Sequence, residues 1–559
     1  KQEYDWVSHS WRDVANQVEI IASALEQRGI TAGARVAILS ENRLEWIIAD
    51  LAIMSIGAIS VPLFTTYTQT DINYLLSHSG ARAIICSNSE LTALAETAAQ
   101  DSRDCYLMVV MEQSNLLYHS LNLAIVSWGE LIEEGKVAIA NSRFVSPEMS
   151  TDDVCCIFYS SDGDEKPKGA MLTHRSIMAN LAGAEGLLRD LSLGHEVFLS
   201  MLPLSHAYEH SVGLFFPIHI RAEIYLLHRP ENLSSAILEV KPTIMTAVPR
   251  LYEILRDRIN ASYRHKGILN RKMLDRAVYL GRKNVRKESL TLLEKIENSY
   301  LNLTVRRNIN ARLGGRLKAF VSGAAALDPN IGYFFLALNV RILQGYGQTE
   351  ASPVITANPP KKIKIETVGK LLVGVEAKLT KLGEICVRGD LVMKGYWNDP
   401  VSTKKKLRDG WLLTGDIGTF HADGYISLTG RKKDIIINSG GENISPVKIE
   451  TFLEAHSDID QAMAYGNQHS YITAVITPNR LLVKKLQNDQ NKIAKTISEA
   501  VKTANARLSS PEKVRSFLLS DEPFSIENEC LTAGGAIRRQ QINQLYSERL
   551  EQLYLRKSF

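Results

Sequence analysis

The sequence predicts an α/β protein with a large N-terminal domain of mixed sheets flanked by helices and a small α+β C-terminal domain. Three observations carry this. Short apolar runs alternate with amphipathic stretches from the start, which is the rhythm of βαβ units. Residues 250–315 are rich in Lys, Arg, Leu and Glu at helical spacing with no turn cluster, so they read as an all-helical excursion. From Val368 onward the texture becomes short β runs broken by Gly and Asp, and a compact piece follows Gly430. A chain of 559 residues is too long for one core. The expected division is 1–430 and 431–559.

In chain order, 35–39, 59–63 and 82–86 read as strands, and 10–28 and 70–79 as helices. The most apolar window, 46–64, has the length of a membrane span. It also contains Asp50, Gly57 and Pro62, so a buried helix over 45–56 turning at Gly57 into a strand over 58–63 is the better reading. The rhythm resumes with strands at 197–202, 223–227 and 243–247. A strand-like run at 339–343 follows, then a β run at 383–389 and a tight turn at Asp423-Gly424-Tyr425.

Bulk properties exclude some classes of function. Lys and Arg number 65 against 61 Asp and Glu, a net charge of +4, so no nucleic acid or other polyanionic partner is implied. Six cysteines without CxxC spacing read as reduced, mostly buried thiols of a cytoplasmic type of compartment. No signal peptide is visible. The basic helical excursion reads as a solvated face, with peripheral contact to a membrane surface left open. Oligomeric state is not legible.

The most informative stretch is Gln344-Gly345-Tyr346-Gly347-Gln348-Thr349-Glu350. Gly345 and Gly347 permit positive φ and close backbone approach. Tyr346 offers a flat face for a purine, Thr349 a hydroxyl for a phosphate, and Glu350 a hard oxygen for Mg²⁺.

Six stretches in order resemble the adenylate-forming (AMP-binding) superfamily. They are Pro167 to His174 (PKGAMLTH), Leu202 to His206 (LPLSH), Ser322 to Ala325 (SGAA), the 344–350 motif, Gly410 to Asp416 (GWLLTGD), and Gly430 to Asp434 running on to Gly440-Gly441-Glu442-Asn443. Ala247 to Glu253 (AVPRLYE) and the helical excursion look most like the long-chain fatty acyl-CoA synthetases. The resemblance covers essentially the whole chain. It implies ATP, Mg²⁺ and coenzyme A with a fatty acid, joined in two steps through acyl-AMP, and a small domain that is mobile about a hinge at Lys433. It implies that Thr349 and Glu350 act on the phosphates and the ion, with His206 beside the acyl carboxylate. Ser160, Ser161 and Lys168 belong to the phosphate loop, Gly323, Ala324 and Tyr346 to the adenine site, Asp416 (on a loop after Trp411) and Arg431 to the ribose. Gly440 and Gly441 line the approach of the thiol.

Two departures stand against that pattern. Asp162, Asp164 and Glu165 occupy phosphate-loop positions where glycines and a hydroxyl are expected. At an effective dielectric near 20, each unit-charge repulsion at about 6 Å costs roughly 3 kcal/mol. Ala536 stands where the family carries the lysine of the adenylation step. Two alternatives therefore stay open: a nucleotide- or acyl-binding protein with little turnover, and an acyl-AMP ligase that delivers to a carrier protein.

Overall fold

The computed structural model describes residues 6–112, 123–160, 166–228, 230–440, 442–531 and 537–555. Among these residues, an eight-stranded sheet runs in the order Gly395–Tyr396, Lys168–Thr173, Val154–Ser160, Ile59–Leu63, Arg35–Leu39, Ala81–Cys86, Leu107–Val110, Ala124–Ser127. From Val154–Ser160 outward the pairing is parallel, and the two strands at the other edge are antiparallel. Alternation of side chains explains why both faces are covered. Val36 and Ile38 pack under the helices Trp11–Gln27 and Leu44–Ser55, while Ala37 and Leu39 face Gln69–Ser79 and Ser89–Gln100. Helix starts are set locally. Ser10 with Asp13, and Thr68 with Asp71, form reciprocal capping boxes that satisfy otherwise orphaned N–H groups.

A second sheet runs Lys370–Leu371, Val354–Ala357, Ile342–Gly347, Ala319–Ser322, Ile244–Ala247, Val197–Ser200, Glu223–Leu226. Its five last strands are parallel, and Val354–Ala357 and Lys370–Leu371 add in antiparallel fashion. Here too the strands alternate. Val197, Leu199, Met245 and Ala247 face the helices Pro249–His265 and Ile268–Val285, whereas Phe198 and Ile244 face a core shared with the first sheet. That shared core also takes Ile385, Val387, Leu412 and Ile426 from an antiparallel third sheet built on Glu384–Arg388, Trp411–Phe420 and Ile426–Arg431. The three sheets converge on one apolar centre, and the site described below lies where their strand ends meet.

Beyond Arg431 a smaller α+β unit packs the helices Pro446–Glu454 and Gln490–Asn505 on a sheet of Ile459–Tyr465, Ile472–Pro478 and Val514–Leu519, around its own core. The mixed α/β architecture with a large N-terminal and a smaller C-terminal part is thus the one expected. The apolar window is the helix Leu44–Ser55, a turn at Gly57 with φ +70°, and the strand Ile59–Leu63. Among the described residues no helix is long and apolar enough to cross a membrane. All six cysteines are buried thiols.

Three local expectations need correction. The strand expected over 339–343 begins at Ile342 and continues through Gly347, because Asn339 takes φ +61° at the end of the helix Pro329–Ala337. The signature glycines are therefore inside a strand, and neither has positive φ. They are required by close approach instead: a Cβ on Gly347 would lie 1.8 Å from the Pro353 carbonyl oxygen, and one on Gly345 2.8 Å from that of Thr356. The strand expected to reach residue 202 ends at Ser200, where the next two N–H groups turn to the Glu209 carboxylate. Asp416 lies within the strand Trp411–Phe420, not on a loop.

Candidate active site

Each of the three sheets delivers functional groups to one cavity of about 520 Å³. Ser160 ends the strand Val154–Ser160 of the first sheet. Tyr346 sits in the second, and Thr349 and Glu350 form the short 3₁₀ turn Thr349–Ala351 just beyond it. Asp416 comes from the third. All five line the cavity.

Glu350 is 8% exposed and is held on one oxygen. Its Oε1 accepts from the Tyr396 hydroxyl at 2.7 Å and from Ser160 Oγ at 3.4 Å, so the carboxylate bridges the first and second sheets. Its own carbonyl accepts from Met393 N–H at 2.9 Å. A carboxylate among hydroxyls, from Thr349 and Ser160, is a hard oxygen set that suits Mg²⁺. Among the described residues no three His, Cys, Asp or Glu side chains converge as a metal cage.

The opposite wall is backbone. Gly323 follows the strand Ala319–Ser322, and a Cβ there would meet the Tyr208 ring at 2.8 Å. Ala324 is held at φ +67°, a strained conformation for a residue with a Cβ, of the kind that concentrates at ligand sites. Tyr208 secures this wall by donating to the Val321 carbonyl at 2.8 Å.

Asp416 is 8% exposed and is paired on both oxygens. Tyr346 donates its hydroxyl to Oδ2 at 2.7 Å, and Arg431 Nε lies 3.3 Å from Oδ1. Asp416 and Arg431 are direct partners across the strand ladder, so register sets this pair. Burial and the neighbouring Asp416 charge push the Tyr346 phenol well above its usual value, and it stays protonated. Ribose hydroxyls arriving at Asp416 would share or displace these two donors. We therefore expect Asp416→Ala to weaken ATP binding about 10- to 100-fold, the loss of one or two hydrogen bonds to a charge, in calorimetric titration. An affinity within twofold of the parent chain would exclude Asp416 as a nucleotide contact.

His206 lines the same cavity. Its Nδ1 accepts from the Tyr208 N–H at 3.1 Å, which leaves the ring proton on Nε2. Burial lowers its pKa, so the imidazole is neutral at pH 7 and Nε2–H is a donor. Lys406, Arg431, Lys432 and Lys433 also line the cavity, facing Glu350 and Asp416 with an excess of positive charge suited to a polyphosphate.

Other expected residues fall elsewhere or outside what is described. Lys168 lies beside a separate hollow with Tyr74 and Asp399, its Nζ 6.0 Å from the centre of the Tyr396 ring. Gly440 is on an exposed turn, where its N–H donates to Asn438 Oδ1 at 3.0 Å. Ser161, Asp162, Asp164, Glu165, Gly441 and Ala536 lie outside the described residues.

Sequence reasoning passed over four groups: Tyr396, Lys406, Lys432 and Glu209. Gly395-Tyr396-Trp397 gave the only local hint, a glycine beside two aromatics. Glu209 gave none, because its partners are distant in sequence. It is fully buried in the π-helical turn Glu209–Phe215, and it accepts from Ser200 Oγ and Thr246 Oγ1, both at 2.6 Å. The Met201 and Leu202 N–H groups lie close enough to favour its ionised form, on the segment that leads to His206.

Burial pushes Glu209 up to about 7 from a reference of 4.5, and its four donors only partly oppose the shift. A carboxyl raised on folding gives stability that is complete below pH 4.5 and is lost as pH rises through about 7. Between pH 4.5 and 8 the parent chain should lose on the order of 3 kcal/mol more than Glu209→Gln. Urea unfolding of both chains across that range is the check; parallel pH profiles would contradict it.

The sequence comparisons agree with this geometry. Residues 2–397 match the AMP-binding enzyme family, and 433–558 match the AMP-binding enzyme C-terminal domain. A long-chain-fatty-acid–CoA ligase of Mycobacterium tuberculosis is 29% identical over 98% of this chain and 92% of its own length. The peroxisomal long chain acyl-CoA synthetase 6 of Arabidopsis thaliana is also 29% identical, over 99% of this chain and 82% of its own. Among solved structures, the adenylation domain of a carboxylate reductase from Mycobacterium chelonae superposes with a TM-score of 0.77 at 23% identity, covering 98% of this chain and 85% of that one. The corresponding domain from Segniliparus rugosus, in complex with AMP and a co-purified carboxylic acid, gives 0.77 at 22%, covering 99% and 88%. These last two speak to the fold alone. With a matched model running through both parts of the fold, and a cavity whose walls carry the matched motifs, the chain belongs to the AMP-binding enzyme family.

Proposed function

We propose that this protein is a long-chain fatty acid–CoA ligase that uses ATP, with large and small domains dividing at 430/431. The observation that carries the reading is the convergence of Tyr346, Thr349, Glu350, Asp416 and Arg431 on one cavity that also holds neutral His206. Relatives named as long-chain acyl-CoA ligases over nearly the whole length support the substrate class.

In the first step a carboxylate oxygen bonds to the α-phosphorus of ATP as the bond to pyrophosphate breaks. His206 Nε2–H would orient the carboxylate. Thr349 would donate to the α-phosphate, and Glu350 would hold Mg²⁺, which when bound neutralises phosphate charge. The cations Lys406, Arg431, Lys432 and Lys433 would stabilise the charge that moves onto pyrophosphate. In the second step the thiol sulfur of coenzyme A bonds to the acyl carbon, the bond to AMP breaks, and the thiol proton leaves. Rotation of the small domain about Lys433 would exchange the two surfaces, with Gly440 and Gly441 leaving room for the thiol. Ser160, Ser161 and Lys168 would serve the phosphates with the loop closed.

The test is calorimetric ATP titration with Mg²⁺, palmitate-dependent pyrophosphate release, and mass-spectrometric detection of palmitoyl-CoA. Binding, release and thioester together establish the ligase. Ala536 and the acidic phosphate loop favour a second reading, a binding protein with little turnover; ATP binding with neither product would support it. Acyl-AMP formation with transfer to a carrier protein and none to coenzyme A would identify the third.

A further inference from the structure

The helical excursion is built with one helix turned inside out. In Leu292–Leu301 the polar side faces the protein. Glu294 accepts from Lys283 Nζ at 3.0 Å, and Glu297 pairs with Arg276 at 2.8 Å, both cations on the neighbouring helix Ile268–Val285. Leu301 is the residue it buries. Leu292, Leu293, Ile296 and, one turn past the helix, Leu303 are between 64% and 79% exposed. At about 100° per residue, positions 292, 293, 296 and 303 fall within one arc of roughly 100°, opposite the packed side.

The neighbouring helix adds two exposed apolar residues at its start. That helix packs against the π-helical turn Asn302–Arg306, with Arg306 donating to the Ala277 carbonyl at 2.7 Å. Its first two residues, Ile268 and Leu269, are exposed as well. The exposed charge around this apolar stripe is mostly basic. Arg271, Lys272, Arg286, Lys287, Lys295 and Arg307 are exposed, whereas the exposed acids between residues 264 and 307 are Asp275 and Glu288, which lie 3.9 Å from Arg271 and Arg286 respectively. The remaining acids there, Glu294 and Glu297, are already committed to Lys283 and Arg276.

We propose that this face, centred on Leu292–Leu303 and rimmed by lysine and arginine, docks on the surface of an anionic lipid bilayer. Leucines held outward by a helix whose polar side is consumed in internal ion pairs enter the acyl boundary, and the cations meet lipid phosphates. A second copy of this chain is the poorer occupant, because a twofold contact would set one basic rim against another. The inference does not depend on the reaction assigned above, and its test needs no turnover.

Sedimentation of the full chain with vesicles of phosphatidylcholine containing about 30% phosphatidylglycerol should bring it down, at least tenfold more tightly than pure phosphatidylcholine does. Replacing Leu292, Leu293 and Ile296 together by Ser should weaken sedimentation about tenfold or more with the melting temperature held, because these side chains are exposed in the fold. Lys272→Glu with Lys287→Glu should do the same without touching the leucines, and raised salt should reproduce it. A parent chain that stays in the supernatant overturns the proposal, as do variants that sediment like the parent. So does a parent dimer that the serine substitutions turn to monomer, since the face is then covered by a second copy.

Discussion

Glu350→Gln should lower palmitate-dependent pyrophosphate release by about 10²–10³-fold, the usual effect of removing one preorganised electrostatic group from an adenylating site. The substitution is chosen for what it preserves. A glutamine oxygen still accepts from the Tyr396 hydroxyl, which reaches Glu350 at 2.7 Å, so the link between the first and second sheets survives. What is lost is the negative charge. The defect should therefore appear with a raised Mg²⁺ half-saturation and an unchanged melting temperature, separating ion binding from architecture. A rate within threefold of the parent would remove Glu350 from the mechanism. A parallel fall in stability would show its bridge to Tyr396 and Ser160 to be its main role.

Ala536→Lys should act in the opposite direction. The family resemblance implies a lysine of the adenylation step where this chain has Ala536, and on that reading the substitution should raise acyl-AMP formation by about 10²–10³-fold. The effect belongs to the first step alone. Given preformed palmitoyl-AMP, the parent and Ala536→Lys should make the thioester at the same rate, because a domain turned about Lys433 would present another face. Single-turnover assays of each step provide the comparison. No gain in the first step would mean that Arg431, Lys432 or Lys433, which line the cavity, already supply the missing charge.

The fold was legible where patterning is local, and the site only where motifs carry their own chemistry. Apolar runs such as 35–39 announce a strand buried on both faces, and the turn at Gly57 announces its φ of +70°. The 344–350 motif announced a ligand site, but the reason for its glycines was invisible. Whether a glycine serves positive φ or close approach depends on what lies across from it, and the partner of Gly347 is Pro353 in the returning chain. Asp416 read as a residue of a loop after Trp411, yet it lies within the strand Trp411–Phe420. That strand carries a register shift between Ile417 and Gly418. Tyr396 left only a glycine beside two aromatics as a hint, and Glu209 left none. Each owes its role to partners distant in sequence, Glu350 for Tyr396, and Ser200 and Thr246 for Glu209.

In the reaction proposed above, the pairing of Asp416 with Arg431 would limit what travels when the chain turns about Lys433. Their strands are zipped together up to the bond from Lys432 N–H to the Gly415 carbonyl at 2.7 Å, one residue before the pivot. In the proposed rotation about Lys433, Arg431 would stay on this ladder with Asp416, although it is the first residue of the small domain as divided above. An activated acyl group tethered to the nucleoside would thus remain moored while the machinery around it is exchanged. On that reading, leakage of a mixed anhydride into water between half-reactions would be countered by where the ladder stops.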